Sequence, residues 1–179
     1  MKILTIANKK EEKFLRTKTA DFDFSKVNKT RLNQVIKEMR KTMTLARGIG
    51  LSANQVGLNL KFFVVQISDE LLKRNENNKI ILPPSEKMKF YAIFNPKIKT
   101  PLLRNKKIEM EEGCLSVPGV YGMVKRYGKI TLIGQDINSK KIKIKAEGLL
   151  ARVFQHETDH LNGILFIDKC KKIYKITNI

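Results

Sequence analysis

The sequence predicts a single α+β domain in which antiparallel or mixed β-sheets pack around a central helix carrying the pattern His-Glu-x-x-His. Three observations lead there. Short runs of alternating or continuous β-branched and aromatic residues recur along most of the chain, which is the signature of strands. Two longer segments carry apolar residues at three- and four-residue steps, which is the signature of helices. Both histidines of the chain fall in the second of these, as His156-Glu157-Thr158-Asp159-His160.

Taken in order, Asn28 caps a helix in which Leu32, Val35, Ile36, Met39, Met43 and Ala46 form one stripe, closed by Gly48. Phe62-Phe63-Val64-Val65-Gln66-Ile67 reads as a strand. Residues 69–89, with Asn75-Glu76-Asn77-Asn78 and Pro83-Pro84, read as a surface insertion whose Ile80-Ile81-Leu82 docks locally. Further strands are expected at Tyr91 to Phe94, Ile108 to Glu111, Lys129 to Asp136 and Lys140 to Ala146. The last two join as a hairpin near Asn138-Ser139, and Lys141-Ile142-Lys143-Ile144-Lys145-Ala146 alternates cleanly. From Gly148 to Asn162 the residues Leu149, Val153, His156 and His160 follow one helical stripe, which Asn162-Gly163 ends. One domain is expected over 1–168, with 169–179 as a basic tail.

At 179 residues and 42% hydrophobic, the chain can bury one core but not two comfortable ones. No apolar run approaches the ~20 residues of a membrane span, and the first ten residues have too short an apolar core for a signal peptide. Two cysteines give no disulfide framework, so a reducing cytoplasmic compartment is expected, with an organellar matrix or a viral origin also compatible. Lys and Arg number 36 against 17 acidic residues, a net charge of +19. Lysines scattered as a solvated surface account for most such charge, and attraction to ribosomal RNA is the functional alternative, with Lys169 to Lys175 as its contact. Nothing in the chain specifies DNA.

On a helix, residues i and i+4 share a face, so His156 and His160 can point at one ion while Glu157 borders the same site. Neutral imidazoles, an open position for water and a carboxylate to take that water's proton make a hydrolytic metal centre. Two core histidines with a solvated glutamate between them is the bland reading, but imidazoles on a buried stripe need partners, and one metal satisfies both. A third donor is required. The metzincin position for it holds Phe166, and no glutamate follows Glu157. Asp168 and Cys170 remain downstream, and Cys114 upstream.

Cys114 lies in Glu111-Glu112-Gly113-Cys114-Leu115-Ser116, where a cysteine alone is more often a small buried hydrophobe. A further block, Gly48-Ile49-Gly50-Leu51-Ser52-Ala53-Asn54-Gln55, could by itself be a helix stop and a tight turn. In this order, however, the three blocks resemble those of the peptide deformylase family, GxGLAAxQ, EGCLS and HExDHLxG. The likeness runs from about Ile3 to Asp168.

The resemblance implies that Cys114, His156 and His160 bind one divalent metal, Fe(II) in the cell with Zn, Ni or Co accepted in its place. Glu157 is then the general base, and Gln55 and the Leu115 backbone N–H are the oxyanion donors. Ile49, Leu149 and Val153 would line a pocket for methionine, and the backbone at Ile49, Gly50 and Gly113 would hold the peptide extended. The implied reaction is removal of the N-formyl group from the initiator methionine of nascent polypeptides, which are the implied partners. Ser52 departs from the family's usual alanine and brings a hydroxyl that needs a partner. Tyr121 stands where many bacterial members have an arginine, and the stretch from Ser68 to Lys89 lengthens the separation between Gln55 and Cys114. Two rival readings are a zincin-like endopeptidase, with Asp168 as third ligand, and a non-catalytic basic ribosome-associated module. The latter would be expected to have lost a ligand or the base.

Overall fold

The computed structural model describes residues 1–68, 88–101 and 106–175. The surface insertion expected at 69–89 thus lies outside the described residues, apart from its last two.

Helix α1 (Lys9–Leu15) starts at Asn8, whose side chain accepts from the Lys10 and Glu11 amides. Helix α2 (Lys29–Leu45) starts at Asn28, whose side chain accepts from the Arg31 amide, and it buries Leu32, Ile36, Met39, Thr42 and Met43. Its end differs from expectation. The Gly48 amide donates back to Met43 O and the Arg47 amide to Thr44 O, so Arg47, at φ 57°, occupies the left-handed position that glycine usually takes. Gly48 instead packs against Leu115, whose Cδ1 would stand 2.7 Å from a Cβ there.

The strands are β1 (Gly50–Ser52), β2 (Phe62–Ile67), β3 (Lys89–Lys99), β4 (Lys107–Cys114), β5 (Val117–Tyr127), β6 (Lys129–Gln135), β7 (Lys141–Glu147) and β8 (Cys170–Lys175). All neighbours pair antiparallel, in a five-stranded sheet of order β1-β2-β3-β6-β7 and a three-stranded sheet of order β4-β5-β8. Strand β2 shows why Phe62-Phe63-Val64-Val65 is apolar without interruption. Phe62 and Val64 join the cluster of α2, with Phe22, Met39 and Phe94, while Phe63, Val65 and Ile67 join the cluster of helix α3 (Gly148–Leu161). Helix α3 also meets the second sheet, where Arg152 donates to Val124 O and Ile108 O. It is buried over most of its circumference, including Ala151, Arg152, Val153, Phe154, Gln155 and Glu157. One amphipathic stripe therefore understates it; the helix is central because both sheets cover it.

Strands β1, β5 and β8 and helix α1 were not anticipated, and the expected strands at Tyr91 and Ile108 run longer than expected at both ends. Strand β5 hides behind Pro118-Gly119 and a mixed outward side that exposes Met123 and Lys125, with Gly122, Val124 and Arg126 turned inward. Cys170 to Lys175, expected in a tail, pairs with β5 through Val120↔Lys175, Tyr121↔Tyr174 and Gly122↔Ile173. Among the described residues no helix is long and apolar enough to cross a membrane.

Phe154 is fully buried and its ring meets Phe63 and Tyr91 at 5.8 and 5.5 Å. Phe154→Ala should lower unfolding free energy by about 3–5 kcal/mol, while Leu45→Ala, at a residue 75% exposed, should stay within about 0.5 kcal/mol. Urea denaturation of the two variants checks the contrast.

Candidate metal centre

Three segments far apart in sequence converge beside α3. Strand β4 ends at Cys114, where a tight turn leads into β5, and β1 leads into a 3₁₀ turn, Ala53–Val56, that carries Gln55. The N-terminal segment stitches these together, the Leu4 amide donating to Gln55 O and the Ile6 amide to Ser116 O. Asn54 Nδ2 donates to His160 O at 2.6 Å, tying the 3₁₀ turn to the helix. The result is that Cys114 Sγ lies 3.2 Å from His160 Nε2, and His160 Nε2 lies 3.2 Å from His156 Nε2. The donor atoms of all three residues fall within 4.8 Å of one another.

These residues fit a metal on the chemistry of the donor set. Ligand atoms ~2.0–2.3 Å from one tetrahedral ion lie roughly 3.3–3.6 Å apart, close to the two spacings of 3.2 Å. Two imidazole nitrogens and a sulfur facing one another also need a shared positive charge. On the protein's own charges that need falls on His156: burial disfavours its protonation, but Cys114 and Glu112 outweigh this and raise it to about 10. Burial, together with His156, keeps His160 well below the usual histidine range.

Glu112 anchors His156 from behind, with Oε2 2.9 Å from His156 Nδ1. Burial alone would raise the Glu112 carboxyl, but hydrogen bonds from Arg126 and His156 hold it well below the usual carboxylate range. Arg126 binds it through both Nε (2.7 Å) and a terminal nitrogen (2.9 Å), and Arg152 adds a second guanidinium. Arg126 also pairs with Asp159, which Lys169 reaches from outside. Sequence reasoning missed this group. A signal existed in the period of two, because Glu112 and Cys114 share a face of β4.

Glu157 is buried, and burial raises its carboxyl above the usual range. Its Oε2 accepts from Ser52 Oγ at 2.6 Å, so the extra hydroxyl of Ser52 has its partner. Gln55 Oε1 accepts from the Ser52 amide at 2.9 Å, which turns Nε2 toward Ser116 Oγ (3.0 Å) and Cys114 Sγ (3.6 Å). Leu115 follows Cys114 in the turn. Ile49, Leu149 and Val153 all belong to the apolar cluster around α3. Gly113 faces Tyr121 across the β4–β5 pair, where a Cβ would stand 2.8 Å from the tyrosine ring, and that ring stacks on Tyr174.

The rival third ligands lie elsewhere. Asp168 pairs with Arg16 at 2.9 Å and accepts from the Leu165 amide, and Cys170 Sγ donates to Phe166 O. Neither joins the histidines.

The family model for polypeptide deformylase matches residues 1–175. A peptide deformylase of Chloroflexus aurantiacus is 33% identical over 99% of this chain and 91% of its own length. That of Halothermothrix orenii is 42% identical over 78% of this chain and 77% of its own. Among solved structures, a probable peptide deformylase from Synechococcus phage S-SSM7 superposes with a TM-score of 0.75, at 35% identity, covering 94% of this chain and 99% of that one. A Synechococcus elongatus peptide deformylase in complex with actinonin gives 0.74, at 32% identity, covering 96% and 79%. Motifs, fold and relatives agree, and the chain belongs to the peptide deformylase family of enzymes.

Proposed function

We propose that this chain hydrolyses the N-formyl group from the initiator methionine of nascent polypeptides, releasing formate, with one divalent metal ion held by Cys114, His156 and His160. The observation that carries the reading is the convergence of one sulfur and two imidazole nitrogens beside a buried glutamate in a chain of this family. A thiolate with two imidazoles suits Fe(II), Zn, Ni or Co and disfavours Mg and Ca. Fe(II) is the ion we assign in the cell, on the family's behaviour.

When bound, the ion lowers the pKa of a water molecule and polarises the formyl oxygen. Glu157 takes the water's proton and passes it to the departing amine. Gln55 Nε2 and the Leu115 N–H donate to the oxygen as the formyl carbon becomes tetrahedral, each worth about 3 kcal/mol in such sites. Strand β1 is the edge of its sheet, paired only with β2 among the described strands. A peptide can add alongside it through the backbone at Ile49 and Gly50, with Gly113 opposite, and place the methionine side chain against Ile49, Leu149 and Val153.

The same reading extends the partners to the ribosome through the basic surface. Lys169 is engaged with Asp159, so the contact falls to Lys172 and Lys175, exposed on β8. The endopeptidase reading lacks its ligand, since Asp168 is engaged with Arg16.

Glu157→Gln should keep its metal while formate release from a formyl-Met peptide falls by roughly a hundredfold or more. Near-normal turnover of the metal-loaded variant would remove Glu157 from the reaction. Cys114→Ser should lose metal on dialysis and activity with it, whereas Cys170→Ser should retain both; metal analysis after anaerobic purification distinguishes them. Replacing Lys172 and Lys175 by Gln should flatten the salt dependence of ribosome co-sedimentation, each lost phosphate contact changing the logarithmic slope by about 0.7–0.9. An unchanged slope would return these lysines to the solvated surface.

A further inference from the structure

We propose that Ser52 is a positioning residue for Glu157, its hydroxyl fixing one carboxylate oxygen so that the other faces the reacting groups; this rests on the deformylase reading above. Ser52 ends β1, is fully buried, and has Oγ 2.6 Å from Glu157 Oε2. That is hydrogen-bond distance, and toward an ionised carboxylate, which only accepts, the hydroxyl is the donor. The carbonyl oxygen of Glu157 stands 3.0 Å from the same Oγ, so the hydroxyl sits against both the backbone and the side chain of one residue. Among the described residues no other protein donor reaches this carboxylate.

Two residues back along β1, on the same face, Gly50 shapes the other oxygen. A Cβ at Gly50 would stand 2.3 Å from Glu157 Oε1 and 2.8 Å from the carboxyl carbon. The strand therefore grips the carboxylate at both ends, by a donor at Ser52 and by an absent side chain at Gly50. A glutamate side chain has three torsions to fix, and burial by apolar neighbours constrains the plane of the carboxylate only weakly. The hydroxyl supplies the missing constraint. With Oε2 tied down, Oε1 is the oxygen left to take the proton from water. Most of the Gly-x-Gly-Leu block serves the substrate; this serine serves the base.

Ser52→Ala removes one hydroxyl and leaves the Cβ in place, so it is a mild change for the fold. The experiment compares Ser52→Ala, Ser52→Thr, Glu157→Gln and the Ser52→Ala/Glu157→Gln double variant in steady-state formate release from a formyl-Met peptide, with metal content measured for each. Crystal structures of the starting protein and of Ser52→Ala are determined alongside. Expected are a fall in kcat of about tenfold for Ser52→Ala with KM and metal unchanged, recovery of most of it in Ser52→Thr, and no further loss on adding Ser52→Ala to Glu157→Gln. The crystal structure should show the Glu157 carboxylate spread over more than one orientation. Wild-type kcat in Ser52→Ala, an equal loss in the Glu157→Gln background, or loss of metal would each overturn the proposal, as would a single unchanged carboxylate orientation. If the starting protein releases no formate, the deformylase reading fails by itself, and the carboxylate orientation still decides whether Ser52 positions Glu157.

Discussion

The buried carboxylate of Glu112 is the interaction on which the rest of the site depends. It receives Arg126 from β5, Arg152 and His156 from α3, and it sits on β4 two residues before Cys114. One group therefore relates the strand that carries the sulfur donor to the helix that carries both nitrogen donors. A buried carboxylate is tolerated only when paired, and removing one partner of such a set typically costs 3–5 kcal/mol. That cost makes the register between β4 and α3 specific. A slip of β4 by one residue would turn Cys114 away from the histidines and break the bonds that Glu112 makes to Arg126 and Arg152.

Strand β1 answers a different constraint. An exposed sheet edge invites pairing with any extended chain, a hazard that proteins limit by keeping such edges short. β1 has three residues, enough for a short stretch of peptide and no more. Its inner face has little room: a Cβ at Gly50 would stand 2.3 Å from Glu157 Oε1. On the function proposed above, the same strand offers backbone to the substrate on one side and closes over Glu157 on the other.

The parts of this arrangement legible in sequence are those fixed by local spacing. His156, Glu157 and His160 lie within one helical turn and a half, so periodicity alone puts them together. Cys114 and Gln55 lie 42 or more residues from the histidines, and no spacing rule relates them; the ordered motifs did. Arg126 and Arg152 escaped notice because a cation in a basic chain reads as surface. β5 and β8 escaped because Val117-Pro118-Gly119 and Cys170-Lys171-Lys172 break the apolar alternation that marks a strand. The hydroxyl of Ser52 was visible as a departure, but its partner stands 105 residues away and only the fold brings them within reach.

The charge of the chain divides along the same line. Among the described residues no lysine is buried, whereas Arg126 and Arg152 are 3% and 5% exposed. The physical reason lies in the two head groups. A guanidinium is planar, weakly hydrated and permanently charged, so it can bind a carboxylate with two parallel bonds after losing its water. An ammonium is a compact, strongly hydrated point charge that tends to lose its proton when buried. Lysines can therefore accumulate on the outward positions of β7, at Lys141, Lys143 and Lys145, without disturbing the inward Ile142, Ile144 and Ala146. The net charge of +19 is a property of that outer layer. The candidate metal centre is flanked instead by two guanidinium cations bound to one carboxylate, and Glu112 and Asp159 match them in number.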